Sequence, residues 1–348
     1  MDKDSFYSLI KSGQPENCMI ALEIAKALAR EDRFFVDFKI ALDLGIKYSN
    51  ADYYENIKVE FLHALSRGQF EISKFRKKSF PLEWYTLSEL VNRLSIDYYG
   101  GEKLPEGFGI FNKTKELSVY VRSDTTVGEE VAGMLALERY TAAAENDLKI
   151  SPLIAESKSI KELNLYSQSD YIFLPQEIKN IATLETLKLR SNFEGILLKD
   201  LPLKSLTLNL QESRYSRVRE LSTVKRIVED DELPSTLEQL YLNFYGADSF
   251  KKFIHNKVFR LEHLTYLHIH NNDSIDWEIG KELLGLKKLK NAYLSRLRKE
   301  DIVYFAELPE LETIEITCDH HEKDVEEMQE TLIKMGSKIK VILLDLPF

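Results

Sequence analysis

From Val91 onward the chain repeats a short signature, apolar-x-x-apolar-x-apolar, at a spacing near 23 residues. The copies begin at Val91-Leu94-Ile96, Thr114-Leu117-Val119, Leu137-Tyr140-Ala142, Ile160-Leu163-Leu165 and Leu184-Leu187-Leu189, in steps of 23, 23, 23 and 24 residues. They continue at Leu203-Leu206-Leu208, Leu237-Leu240-Leu242, Leu264-Leu267-Ile269, Leu289-Ala292-Leu294 and Leu311-Ile314-Ile316, in steps of 19, 34, 27, 25 and 22. The last two apolar positions of each copy alternate with polar ones, the period of a β-strand, so one side of each strand is apolar and the other polar. One such strand cannot bury its apolar side alone. Stacking the copies gives a parallel sheet with a buried inward column and a solvated outward column.

The longest step, between Leu203 and Leu237, has room for an inserted helix, which Leu221, Val224 and Ile227 mark within Arg217 to Glu229. A second convex-side helix is expected over Ser249 to Val258. The open ends of a repeat stack need covers. At the C-terminal end, Glu322 to Lys334 places Val325, Met328 and Leu332 on one helical stripe, and Lys338 to Leu344 supplies a closing strand.

Residues 1 to 80 lack the repeat and predict four helices: Ser5 to Ser12 ending at Gly13, Pro15 to Arg30, Arg33 to Leu44 ending at Gly45, and Ala51 to Ser66 with Gly68 beyond. Proline just inside a start and glycine just past an end are the expected punctuation. The second helix is apolar nearly all round, with Met19, Ile20, Leu22, Ile24, Ala25 and Leu28, and is expected to be buried. The division that follows is residues 1–80 as a helical cap or docking domain and 81–348 as the repeat array.

The repeat residues resemble the leucine-rich-repeat family, whose consensus is LxxLxLxxNxL. Two stretches carry the fuller form in which Leu-Pro precedes the next strand: Leu104-Pro105 leading to Phe108 and Phe111, and Leu174-Pro175 leading to Ile178 and Ile181. The family's asparagine stands at Asn192 and Asn272, whereas Tyr99, Gln168, Gln211, Tyr245, Leu297 and Asp319 replace it elsewhere. The resemblance implies an α/β leucine-rich-repeat solenoid: a parallel sheet on the concave face, helices and loops on the convex face, and an all-α N-terminal cap. It also implies a role in protein–protein interaction.

A hydrophobic fraction of 44% and a charged fraction of 30% exclude a disordered chain. No run of about eighteen apolar residues suggests a membrane span, and the start, with Asp2 and Asp4 around Lys3, does not read as a secretory leader. Cys18 and Cys318 are the two cysteines, which offer no disulfide framework and fit a reducing cytoplasm. Net charge is −10, and residues 1 to 80 hold 13 basic and 12 acidic residues, so the repeat array carries all of the negative excess. An acidic array repels phosphate backbones, which argues against nucleic acid as a partner. The cluster Lys74, Arg76, Lys77 and Lys78 reads as a solvated linker.

Catalytic signatures are missing from the sequence: Gly100-Gly101 is not followed by a phosphate-binding GK[ST], and there is no GxSxG elbow. No cofactor is expected. One histidine group invites a metal reading, because His268 and His270 share a strand face and His320 and His321 follow two repeats later. A metal-dependent enzyme built on those four residues is the alternative to a binding protein. An inhibitor or immunity protein that blocks an enzyme is a further alternative of the binding kind.

The outward column itself is nearly free of aliphatic residues, and in three consecutive copies it gathers Tyr241, Tyr266, His268, His270 and Tyr293. Exposed tyrosines among small polar groups suit partner binding, since they bury much area at little cost in side-chain entropy. Lys188 and Arg190, with Arg139, form a second patch able to meet an acidic segment. These residues are the expected partner-binding positions of a non-catalytic scaffold.

Overall fold

The computed structural model describes residues 2–49, 57–122, 124–168, 171–211, 233–245, 253–254, 256–271, 279–295, 297–317 and 322–344. They fall into two compact units, Met1–Thr183 and Leu184–Phe348.

The first unit opens with helices α1 (Lys3–Lys11), α2 (Pro15–Leu28), α3 (Arg33–Tyr48) and α4 (Ile57–Ser66). The Asp2 carboxylate caps α1 by accepting the Ser5 N–H at 2.8 Å, and Asp32 does the same for α3 through Phe34 at 2.8 Å. Phe6 sits at the centre of their core, edge-on to Phe34, Phe35 and Phe38 at 6.1, 5.1 and 4.9 Å.

Two helical expectations are corrected. Helix α3 runs through Gly45 to Tyr48, and Gly45 is a packing residue, because a Cβ there would lie 2.5 Å from Phe61 Cζ on α4. Helix α2 is not buried all round: Met19 and Ile20 are 52% and 50% exposed. Its buried side is instead made of Cys18, Ala21, Leu22 and Ala25, mostly small residues that let the helix approach its neighbours.

The sheet of this unit starts at β1 (Gln69–Phe75), one strand before the first repeat in the sequence. It continues in parallel through β2 (Arg93–Tyr98), β3 (Glu116–Val121), β5 (Arg139–Ala144) and β7 (Glu162–Ser167). Shorter strands β4 (Thr126–Val127), β6 (Leu148–Ile150) and β8 (Tyr171–Phe173) pair in parallel with each other. The helices cover the β1 end: Tyr48 meets Phe75 at 5.1 Å, Phe61 meets Phe70 at 5.7 Å, and Phe70 meets Trp84 at 5.1 Å. Tyr7 adds a hydrogen bond from its hydroxyl to the Thr86 carbonyl, at 2.8 Å, in the short helix α5 (Tyr85–Ser88). An all-α cap thus closes the exposed core that a first strand would otherwise present.

The second unit holds β9 (Thr186–Leu189), the short β10 (Asn192–Glu194), β11 (Ser205–Gln211), β12 (Gln239–Tyr245), β13 (Tyr266–Asn271), β14 (Asn291–Leu294), β15 (Thr313–Thr317) and β16 (Lys340–Leu344). From β9 through β11 to β16 the pairing is parallel and in register. Inward residues such as Leu187, Leu206, Leu240, Leu267 and Ile314 are at most 1% exposed. The inward and outward phases are those expected.

Threonine hydroxyls tie successive coils together, because a side-chain donor beside each strand start can reach a carbonyl of the coil before. Thr114 and Thr183 donate to Val91 and Ile160 at 3.0 and 2.7 Å, and Thr236 to Leu203 at 2.7 Å. Opposite the strands, the Leu-Pro stretches form 3-10 turns, Phe108–Phe111 and Gln176–Asn180, with Phe108, Phe111, Ile178 and Ile181 buried.

The C-terminal end follows the expectation. After α6 (Ile302–Phe305), helix α7 (Glu322–Lys334) buries Met328 and Leu332. Gln329 then uses its amide as a substitute strand: Nε2 donates to the Ile339 carbonyl at 3.0 Å and Oε1 accepts the Val341 N–H at 2.8 Å. A backbone group of the edge strand β16 and the carbonyl just before it are thereby satisfied, which blunts the edge. The expected helix Arg217 to Glu229 lies outside the described residues. Of Ser249 to Val258, Phe253 and Ile254 are helical and buried. No helix among the described residues is long and apolar enough to cross a membrane.

Candidate partner-binding face

In-register parallel strands stack like positions side by side, about 4.8 Å apart. On the outward face of the second unit this produces rows. Thr207, Tyr241, His268, Tyr293 and Glu315 form one row across β11 to β15. Ser205, Gln239, Tyr266, Asn291 and Thr313 form the row before it, and Asn209, Asn243 and His270 the row after. An aromatic row is therefore flanked by rows dominated by amides and hydroxyls.

Row geometry brings the rings together. His268 stacks on Tyr293 with 3.9 Å between centroids and 2° between planes. Tyr241 lies 5.8 Å from His268 and 5.0 Å from Tyr266, both tilted by 34°, and His270 lies 6.4 Å from Tyr293. Such contacts fix ring orientation before any partner arrives, so less side-chain freedom is lost on binding.

Exposure separates the five residues. Tyr241, Tyr266, His268 and His270 are half-buried. Tyr293, expected to be exposed, is only 5% so. The His268 ring covers one of its faces, so Tyr293 supports the row from within.

The rings of His268, Tyr241 and Tyr266 are uncharged at neutral pH. Burial pushes the His268 imidazole down to about 4, with His270 adding to the shift. Burial also pushes the Tyr266 hydroxyl up to about 12, helped by Tyr241, Glu315 and Tyr293, and raises that of Tyr241. The tyrosines are hydroxyl donors, and the imidazole offers one donor and one acceptor.

Lys188 is half-buried on β9 and in register with Thr207, and Arg190 is exposed beyond the strand's end. Arg139, in the first unit, is engaged by Glu116 at 2.6 Å. The outward face of that unit differs in kind. Glu116 is held between Arg139 and Arg93, also at 2.6 Å, and Arg122 pairs with Asp97 and Glu145 while lying over Tyr99 and Tyr120 at 4.6 and 5.0 Å. Its charges largely satisfy one another. Tyr99 and Gln168, which stand where the consensus has asparagine, take part in these surface contacts, Gln168 donating to the Tyr120 hydroxyl at 3.1 Å.

One polar contact of a buried tyrosine escaped the sequence reading. Tyr140 occupies a leucine slot of the repeat and is fully buried, and its hydroxyl donates to the Glu130 carboxylate. Glu130 also accepts the Gly128 N–H at 2.7 Å, while burial raises its pKa. The available signal was a tyrosine in an aliphatic column, which needs a polar partner for its hydroxyl. Glu130 borders a cavity of about 780 Å³ lined by Tyr98, Lys103, Phe108, Glu129 and Gly133 among others.

Among the described residues no group of three or more His, Cys, Asp or Glu side chains could hold a metal ion. His320 and His321 of the expected cluster lie outside them.

No protein-family model matches the chain, and no curated protein matches it. Solved structures do. A leucine-rich-repeat protein of Leptospira interrogans is 16% identical, with 81% of this chain and 86% of that one covered and a TM-score of 0.41. Internalin C2 of Listeria monocytogenes is 15% identical over 67% of this chain and 83% of its own, at a TM-score of 0.32. The leucine-rich-repeat domain of the type III effector XopL is 14% identical over 83% and 86%, at 0.26. These likenesses are distant, and the repeat is visible without them. With parallel strands recurring at the sequence period, apolar columns buried and helices closing the first strand, the chain has the leucine-rich-repeat architecture with a degenerate consensus.

Proposed function

We propose that the chain is a non-catalytic interaction scaffold that binds another protein on the outward face of β11 to β15. Tyr241, Tyr266, His268 and His270 are the contact residues, Tyr293 is their buried support, and Lys188 and Arg190 are a basic flank. The observation that carries this reading is the ordered row of half-buried rings on a sheet face where the fold itself requires no aromatic residue. Rigid aromatic groups among hydroxyls and amides are the composition of protein-binding surfaces. Two cysteines far apart in the sequence support a reducing cytoplasm as the setting of this activity.

The test is to recover partners by affinity purification from the native cell and titrate one against wild type and a Tyr266→Ala, His268→Ala double variant by calorimetry. The variant should keep its circular dichroism spectrum and bind about thirtyfold more weakly, the roughly 2 kcal/mol of a hot spot. Equal affinity with an intact fold would reject this face.

A further inference from the structure

We infer that the partner presents an arginine to this face, its guanidinium paired with the Glu315 carboxylate at the end of the aromatic row; this rests on the binding-face reading above. Strand register sets Glu315 on the outward face between Tyr293 of β14 and Ile342 of β16. Its side chain is half-buried, and it makes no hydrogen bond or ion pair with a described residue. The outward acids of the first unit are in the opposite situation, since Glu116 has two arginines and Asp97 has Arg122.

No neighbour in the row can serve as the counter-charge. The nearby His268 and Tyr266 rings are neutral at physiological pH, His268 because burial lowers its pKa and Tyr266 because burial, then Tyr241 and then Glu315 raise its hydroxyl. Lys340, the outward cation of β16, stands in register with Thr313 and forms no ion pair with Glu315.

A protein surface that covers a carboxylate removes its water, and the loss is offset only by a matching cation and its hydrogen bonds. An apolar or acidic partner would bear that cost uncompensated, so Glu315 selects for a basic one. Between the two basic side chains, the guanidinium is the more weakly hydrated, pairs with a carboxylate through two parallel N–H bonds, and lies well along aromatic rings. A half-buried carboxylate at the end of a ring row suits it better than it suits an ammonium.

The test uses the full chain with labelled aromatic side chains, titrated by nuclear magnetic resonance with the blocked pentapeptides Gly-Gly-Arg-Gly-Gly, Gly-Gly-Lys-Gly-Gly and Gly-Gly-Glu-Gly-Gly. The arginine peptide should move the Tyr266 and Tyr293 ring signals, the lysine peptide should do so more weakly, and the glutamate peptide should not. In a Glu315→Gln variant of unchanged melting temperature, the arginine response should weaken at least about fivefold. Unmoved rings, or the same arginine affinity in Glu315→Gln, would overturn the inference, and a lysine response equal to that of arginine would overturn the guanidinium. If the arginine peptide fails while a purified partner still depends on Tyr266 and His268, the inference falls and the binding face stands. If that partner ignores the Tyr266 and His268 substitutions, the face itself is wrong.

Discussion

The imidazole of His268 lies flat on the ring of Tyr293, 3.9 Å from centroid to centroid and 2° from parallel. That spacing is shorter than the strand separation of about 4.8 Å, so the two in-register side chains lean together and exclude water between them. The contact converts two polar residues into one half-dry aromatic unit. It also places a titratable ring where its charged form is poorly solvated.

The pH behaviour of His268 follows with a definite sign. Its folded pKa of about 4 lies below the ordinary histidine value of 6.5, so between those limits the unfolded chain holds a proton that the folded chain does not. Stability from this group is present above about 6.5 and is lost as pH falls toward 4. The His268 ring signal in a nuclear magnetic resonance titration should stay in its neutral form down to about pH 5. Charging of His268 will then contribute nothing to partner affinity between pH 6.5 and 8. A midpoint above 6 would show that the ring is more open to water than the stack allows.

Strand phase is tested by adjacent residues of β9. Leu187 is fully buried, whereas Lys188 points outward. Leu187→Ala should lower the free energy of unfolding in urea by about 2 to 5 kcal/mol, as buried leucine truncations do, and Lys188→Ala by much less. The reverse ranking would mean a one-residue slip that moves every outward side chain inward.

The repeat was legible because its signal is redundant: a period of two within each strand and a period near 23 between strands both point to the same buried column. Strand β1 was not, for a local reason. Lys74 adopts a left-handed φ of +51° and the pairing with β2 shifts between Ile72 and Phe75, so the alternation breaks within the strand. Gly45 misled because a glycine that ends a helix and one that admits a neighbouring ring read alike; only the position of Phe61 separates them. The outward positions of Tyr241, Tyr266 and His268 followed from strand phase alone. The burial of Tyr293, and the lack of a partner for Glu315 among the described residues, depend on which residues neighbour them across strands, and that requires the register.

The Tyr140–Glu130 pair in the first unit makes a separate prediction. Tyr140→Phe keeps the ring but removes the hydroxyl that donates to Glu130, leaving that enclosed carboxyl with the Gly128 N–H. Loss of a partner for a buried polar group costs about 1 to 3 kcal/mol. Tyr120→Phe, which removes a half-buried hydroxyl shared with Gln168 and Glu145, should cost less. Urea melts of both variants decide it, and equal midpoints would show that Glu130 finds a replacement donor.

Tyr266 and Tyr293 should separate stability from binding, although both are outward tyrosines on adjacent strands. Tyr293 is 5% exposed beneath His268, so Tyr293→Ala removes packed surface and frees the imidazole it supports. The melting temperature should fall, with a loss of about 1 to 3 kcal/mol for a packed side chain not in the deepest core. Tyr266 is half-buried and touches Tyr241 at 5.0 Å, so its removal leaves the leucine column intact and should lower the melting temperature little. Its ring edge and hydroxyl, however, are available to a partner, and Tyr266→Ala should weaken binding by about tenfold or more. Tyr293→Phe serves as the control: it restores the stack and so should recover both stability and affinity. Thermal melts and calorimetric titrations of the three variants give the answer. If Tyr293→Ala leaves the fold unchanged while Tyr266→Ala unfolds it, the assignment of support and contact within the row is inverted.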